Sequence, residues 1–260
     1  MAIMFVGGVV PKMEPTPSET GQEYIPVPGS GTGGGKSSLQ LNPIKFKKCT
    51  GTVTIDFLLD RSGSMGDFAP SGKTKISRLK EAVLELTNKL SDTSIVGIQS
   101  FNSNEVSKDN FVNSLTNDVP ISYYKDIKTI IPTKVNALQA SGKTPTHDAI
   151  AYSYGILQNA LPLFKDRKFN FILISDGAPV PASQNPQLFT PNPADQIKAL
   201  GVNVFSLAIY DSSQSRDPKL AELLKSIASK PGNYYEAQNA DQVSNLLQQI
   251  LTKLCDEPAK

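Results

Sequence analysis

Tryptophan is absent from this 260-residue chain, which holds one histidine and two cysteines. A Ser-His-Asp hydrolase would have to use His147 as its only imidazole base, and no GxSxG elbow surrounds Ser62 or Ser64. His147 therefore reads as a surface or cap-adjacent residue, and the hydrolase stands only as a contrast. No CxxC pair or metal-ligand cysteine spacing occurs. Charge of one sign is lacking too: 26 basic against 24 acidic residues leave +2. Five lysines against three glutamates up to Lys48 account for that excess. So small a balance gives no reason to expect a nucleic acid or an anionic membrane as partner. The Asn-x-Ser/Thr glycosylation signal is missing throughout.

Long hydrophobic runs are also lacking near the start. Ala2 to Val10 is apolar but short, contains two glycines and follows no basic residue. It is a poor signal peptide and too short to span a bilayer. It also suits the stub of a membrane segment lost upstream. Residues 11–38 are rich in Pro, Gly, Ser and Thr and read as a flexible linker. Within them, Ser30 to Ser37 (SGTGGGKS) resembles a phosphate-binding loop. Its first position is serine, and no strand leads into it. Linker is the reading, with no nucleotide. Residues 1–48 are thus expected to be a leader, 49–256 the folded domain and 257–260 a tail.

What is present begins at Cys49. Thr52 to Leu59 is a largely apolar strand, and Lys75 to Leu90 carries Ile76, Leu79, Val83, Leu86 and Leu90 at helical spacing. Ile95 to Phe101 is a second strand, and Glu105 to Val112 a short edge strand. Tyr123 to Leu138 looks helical but is broken by Pro132. A helix starts near Thr146, a candidate N-cap, with Ile150, Leu157 and Leu161 on one face. Phe169 to Ser175 is a strand, followed by the proline-rich loop Pro179 to Pro193. A short helix to Leu200, the strand Val202 to Ile209, a helix from about Pro218 to Ala228 and a strand Asn233 to Glu236 come next. The stripe Val243, Leu246, Leu247, Ile250, Leu251 and Leu254 marks a last amphipathic helix. Strands alternating with helices predict an α/β, Rossmann-like three-layer sandwich with a mainly parallel sheet.

Three loops carry oxygen ligands. The first strand ends in Asp60-Arg61-Ser62-Gly63-Ser64. Ser141-Gly142-Lys143-Thr144-Pro145-Thr146 enters a helix, and Ser175-Asp176-Gly177 ends a strand. Asp60, Asp176, Ser62, Ser64 and Thr144 are all hard donors suited to a divalent cation. Taken singly, Asp176-Gly177 is an ordinary turn, and Thr144 and Thr146 are ordinary cap residues.

Together, in this order, the loops resemble the von Willebrand factor A domain. That fold is found in integrin ligand-binding domains and many microbial surface proteins. Its metal-ion-dependent adhesion site (MIDAS) follows the pattern DxSxS, then Thr, then Asp, matched here by Asp60, Ser62, Ser64, Thr144 and Asp176. The resemblance spans about Thr50 to Leu254. It implies Mg²⁺, with Mn²⁺ or Ca²⁺ as substitutes, and a partner's Asp or Glu carboxylate replacing a bound water. Lys143 stands where a small residue is often found and adds charge near the rim. The helix at Thr146 points its positive end the same way, which favours an anion.

The expected function is non-enzymatic: a cation-dependent protein-binding module, extracellular or at the cell surface. The alternative is a cytoplasmic scaffold subunit partnering an ATPase complex. Cys49 and Cys255 sit at the two ends of the predicted domain. In a cytosolic protein they would be unrelated thiols, but the placement favours a disulfide. So long a loop would gain roughly 5 kcal/mol in the chain-entropy model. The rim candidates for specificity are Gly66 to Lys73, Asn102 to Asp109 and Pro179 to Pro193.

Overall fold

A computed structural model of the chain describes residues 51–107, 110–210 and 217–256. Cys49, the leader and the SGTGGGKS stretch lie outside the described residues. Strand β1 (Thr54–Asp60) is buried at every position. A strand buried on both faces needs helices above and below it, and that is what the sequence builds. The six-stranded sheet has the order β3-β2-β1-β4-β5-β6. Its other members are β2 (Ile95–Ser107), β3 (Asn110–Tyr123), β4 (Phe169–Ser175), β5 (Asn203–Ile209) and β6 (Tyr234–Ala237). All neighbours pair in parallel except β2 and β3.

The helices are α1 (Lys75–Thr87), α2 (Tyr124–Ile127), α3 (Ile131–Ala137), α4 (Thr146–Ala160), α5 (Pro193–Ala199), α6 (Pro218–Ile227) and α7 (Val243–Asp256). Alternation along β1 splits the core between them. Ile55, Phe57 and Leu59 join Leu79 and Val83 of α1 and Leu247 and Ile250 of α7 on one face. Leu58 joins Ile150 and Leu157 of α4, Ile197 of α5 and Leu224 of α6 on the other. No helix among the described residues is long and apolar enough to cross a membrane.

Register positions the site. Asp60 lies beside Phe101 of β2, and Leu59 beside Ile174 of β4. The ends of β1, β2 and β4 are therefore level, and the chain after each emerges from the same carboxyl edge, where open α/β sheets bind ligands.

Three expectations change. β2 does not stop at Phe101, and the short edge strand Glu105 to Val112 is replaced by a long antiparallel hairpin of β2 with β3. β3 is an edge strand with Asn113, Ser114, Thr116, Asn117 and Asp118, and an edge strand needs little apolar alternation and accommodates Pro120. The expected helix Tyr123 to Leu138 is two short helices. Pro132 sits in the first turn of α3, where its missing N–H has no helical partner to lose. Thr146 is the first residue of α4 rather than its N-cap; Pro145 holds that place, with no side-chain cap. The Thr146 hydroxyl turns back to the Thr144 carbonyl instead (3.4 Å).

Candidate metal centre

Asp60 ends β1 with no exposed surface. Both of its oxygens are held: Oδ1 accepts from the Ser62 N–H (2.7 Å), and Oδ2 from the Ser175 hydroxyl (2.6 Å). Arg61 leans to the hairpin side, donating from Nε to Ser100 Oγ (3.2 Å) and from Nη2 to Ser114 Oγ (2.6 Å). The serines on either side of Gly63 turn toward each other, their hydroxyls 3.1 Å apart. The Ser64 hydroxyl donates to Asp176 Oδ1 at 2.7 Å, joining loops separated by 112 positions.

The second loop is stitched to the first through the main chain. The Gly63 N–H donates to the Gly142 carbonyl (2.9 Å), and the Ser141 N–H to the Arg61 carbonyl (2.9 Å). Ser103 of β2 and Lys143 exchange both of their backbone hydrogen bonds. Gly142 has φ +70°, and a Cβ there would fall 1.7 Å from the Ser103 carbonyl oxygen. Only glycine fits so close an approach at that angle. A Cβ on Gly177 would stand 3.5 Å from Thr144 Oγ1 and 3.9 Å from Ser64 Oγ, so that one backbone point has both hydroxyls beside it. The Val180 N–H, in the proline-rich loop, donates to the Thr144 carbonyl (3.0 Å). The structure thus gathers Asp60, Ser62, Ser64, Thr144 and Asp176 at one edge.

Burial pushes the Asp60 carboxyl well above the usual carboxylate range, and the neighbouring Asp176 charge adds to the shift. Burial raises Asp176 as well, against the lowering pull of Lys75 and Ser64. Two desolvated carboxylates close enough for the charge of one to raise the pKa of the other are relieved by a shared cation. The chemistry of the set fits one. Every donor is oxygen, and the 2.7 and 3.1 Å contacts bracket the cis edge of about 3.0 Å expected around a Mg²⁺ with ligands at about 2.1 Å. Among the described residues no group of three or more His, Cys, Asp or Glu side chains gathers as a metal centre; the candidate set has two carboxylates and three hydroxyls.

Two contributors had no assigned role in the sequence. Ser175 was visible within the SDG turn, but its hold on Asp60 appears only when β1 and β4 lie side by side. Lys75 begins α1 and is 4% exposed, with Nζ 3.0 Å from Asp176 Oδ2. Its one sequence signal is a cation at a helix start, against the helix dipole. His147 stacks on Phe189 at 3.4 Å between ring centroids, and its Nδ1 lies 2.8 Å from Asp148 Oδ1. Asp148 is also bonded by Asn113 and Gln184, so this cluster ties the start of α4 to β3 and the proline-rich loop. No hydrogen bond joins His147 to Ser62 or Ser64 among the described residues.

A family model for the von Willebrand factor type A domain matches residues 55–249. The chain belongs to this family. No curated protein sequence matches it. Among solved structures, this von Willebrand factor A domain is similar to the pilus adhesin SpaC of Lactobacillus rhamnosus GG, with TM-score 0.59 and 17% identity over 78% of this chain and 30% of that one. Proximal thread matrix protein 1 from the mussel byssus, in a form with a zinc-occupied MIDAS motif, gives TM-score 0.55 and 15% identity over 80% of this chain and 46% of that one. The manganese-loaded TRAP protein of Plasmodium vivax gives TM-score 0.51 and 19% identity over 77% and 73%. At these identities the likeness is one of fold. The chain spans less than half the length of the first two proteins.

Proposed function

We propose that this von Willebrand factor A domain is a divalent-cation-dependent protein-binding module of the adhesion type, without enzymatic activity. Asp60, Ser62, Ser64, Thr144 and Asp176 are its metal-binding residues, and Mg²⁺ is the preferred ion, with Mn²⁺ and Ca²⁺ as alternatives. The observation that carries this is the 2.7 Å bond from Ser64 to Asp176, which joins the first and third loops. Ser62, Ser64 and Thr144 offer neutral oxygens, while Asp60 and Asp176 supply the charge. The ion, when bound, offers a Lewis-acidic position to a carboxylate oxygen from a partner's Asp or Glu. The first turn of α4 adds a favourable dipole for that anion.

Loops around the edge hold the residues that choose the partner. Phe68 is 71% exposed in the first rim loop and Leu188 68% exposed in the proline-rich loop. An extracellular or surface location is part of this reading. It is supported by the kinds of protein that share the fold, a pilus adhesin and a byssus matrix protein. A Cys49–Cys255 disulfide closing the domain belongs to the same proposal. Gly51, two positions after Cys49, lies against the main-chain oxygen of Cys255, and among the described residues no cysteine is free.

The test is calorimetric titration of the chelator-treated protein with MgCl₂ and MnCl₂, beside Asp60→Ala and Asp176→Ala. Binding by the parent chain and its loss in both variants is the expected result. Equal binding in all three would remove this site from consideration.

A further inference from the structure

Lys75 is buried where a lysine is costly. It opens α1, whose first turn contains no acidic residue, and a cation there opposes the helix dipole. Its side chain is 5% exposed, and that of Asp176 is fully buried. The ammonium donates to Asp176 Oδ2 at 3.0 Å and stands 3.7 Å from Asp67 Oδ2. Asp176 Oδ1 already accepts from Ser64. Both oxygens of this carboxylate are therefore engaged from within the protein, one of them by a full positive charge. Asp67 is 58% exposed, so water screens its charge, whereas the Lys75–Asp176 pair is shielded from water.

We propose that Lys75 is a resident counter-cation of the metal centre, neutralising Asp176 when no ion is bound and weakening the grip on a divalent ion when one is. This rests on the metal reading above. The physical ground is charge at short range in a poorly solvated place. A buried lysine within bonding distance of a ligand carboxylate competes with any second cation for that carboxylate, and like charges repel strongly where water is excluded. Removing the ammonium leaves buried Asp176 without the cation bonded to its Oδ2, beside the buried carboxyl of Asp60. The empty protein then loses stability, while an arriving ion meets no competitor.

Lys75→Met and Lys75→Gln remove the charge, and Lys75→Arg keeps it. Each full chain is stripped with chelator, titrated with MgCl₂ and MnCl₂ by calorimetry, and melted with and without the ion. The two neutral variants should bind cation about tenfold or more tightly than the parent chain. They should melt lower in chelator and recover with cation, while the arginine variant stays close to the parent. Neutral variants that fold but bind no tighter would overturn the proposal, as would neutral variants that stay unfolded in saturating cation, which would assign Lys75 to the fold alone. If the parent chain binds neither ion, the metal reading itself fails and this proposal goes with it.

Discussion

Asp56 Oδ1 takes up the space where a side chain on Gly97 would begin. A Cβ at Gly97 would lie 2.4 Å from that oxygen and 2.5 Å from Ile121 Cγ1. Neighbouring strands β1 and β2 thus share a slot that only glycine leaves open. Gly97→Ala should destabilise the domain by about 3 kcal/mol. Urea unfolding of the two proteins measures it, and a change under about 1 kcal/mol would contradict the packing described.

The same carboxyl makes stability depend on pH. Burial pushes Asp56 up to about 7, against the hydrogen bond from Gln99. Its folded value lies above its unfolded one of 3.8, so the native state binds the extra proton between these limits. Stability from this group is complete below about pH 4 and is lost as pH rises toward 7, at up to about 1.4 kcal/mol per pH unit. Asp56→Asn keeps an acceptor for Gln99 and should flatten that part of the profile. Unfolding midpoints in chelator from pH 4 to 8 would show it; parallel profiles for the two proteins would count against the assignment.

Gly142→Ala tests the stitching of the second loop. The added methyl meets the Ser103 carbonyl at 1.7 Å in a left-handed conformation, so the loop must move and take Thr144 with it. Cation affinity should fall at least about tenfold while the far-UV spectrum of the sheet is kept. Unaltered affinity would mean that Thr144 is not needed.

Ser175→Ala removes the hydroxyl that holds Asp60 Oδ2, without removing any proposed ligand. Loss of such a supporting bond typically weakens metal affinity about 10–100-fold. The Mg²⁺ titration should show that drop, with the proposed ligands all intact.

Reduction tests the proposed terminal bridge. Breaking a native disulfide typically removes about 2–5 kcal/mol. Protein purified without reductant should show no reactive thiol after denaturation and should melt lower once reduced. Two titratable thiols in the unreduced denatured chain would dismiss the bridge.

How much of this was readable in the sequence follows from burial. β1 and β4 were clear because they are apolar runs covered on both faces and bounded by polar turns. β3 was not, because an edge strand tolerates Asn117, Asp118 and Pro120 and looks like loop until β2 is beside it. The nearness of Asp60, Ser62, Ser64, Thr144 and Asp176, the five proposed donors, was legible from residue type and order, since the loops that carry them follow strands or enter helices. Their supports were not. Lys75 and Ser175 act across 101 and 115 positions, on Asp176 and Asp60 respectively, and no local pattern marks such contacts.

The proline-rich loop hangs from the Thr144 carbonyl by the Val180 N–H. One peptide group is therefore a shared hinge pin for the segment that would touch a visitor and the threonine that would clasp an ion. Force applied to one is felt by the other. Rebuilding residues 179–193 to recognise something new should, on the proposed metal reading, also shift how tightly a cation is held.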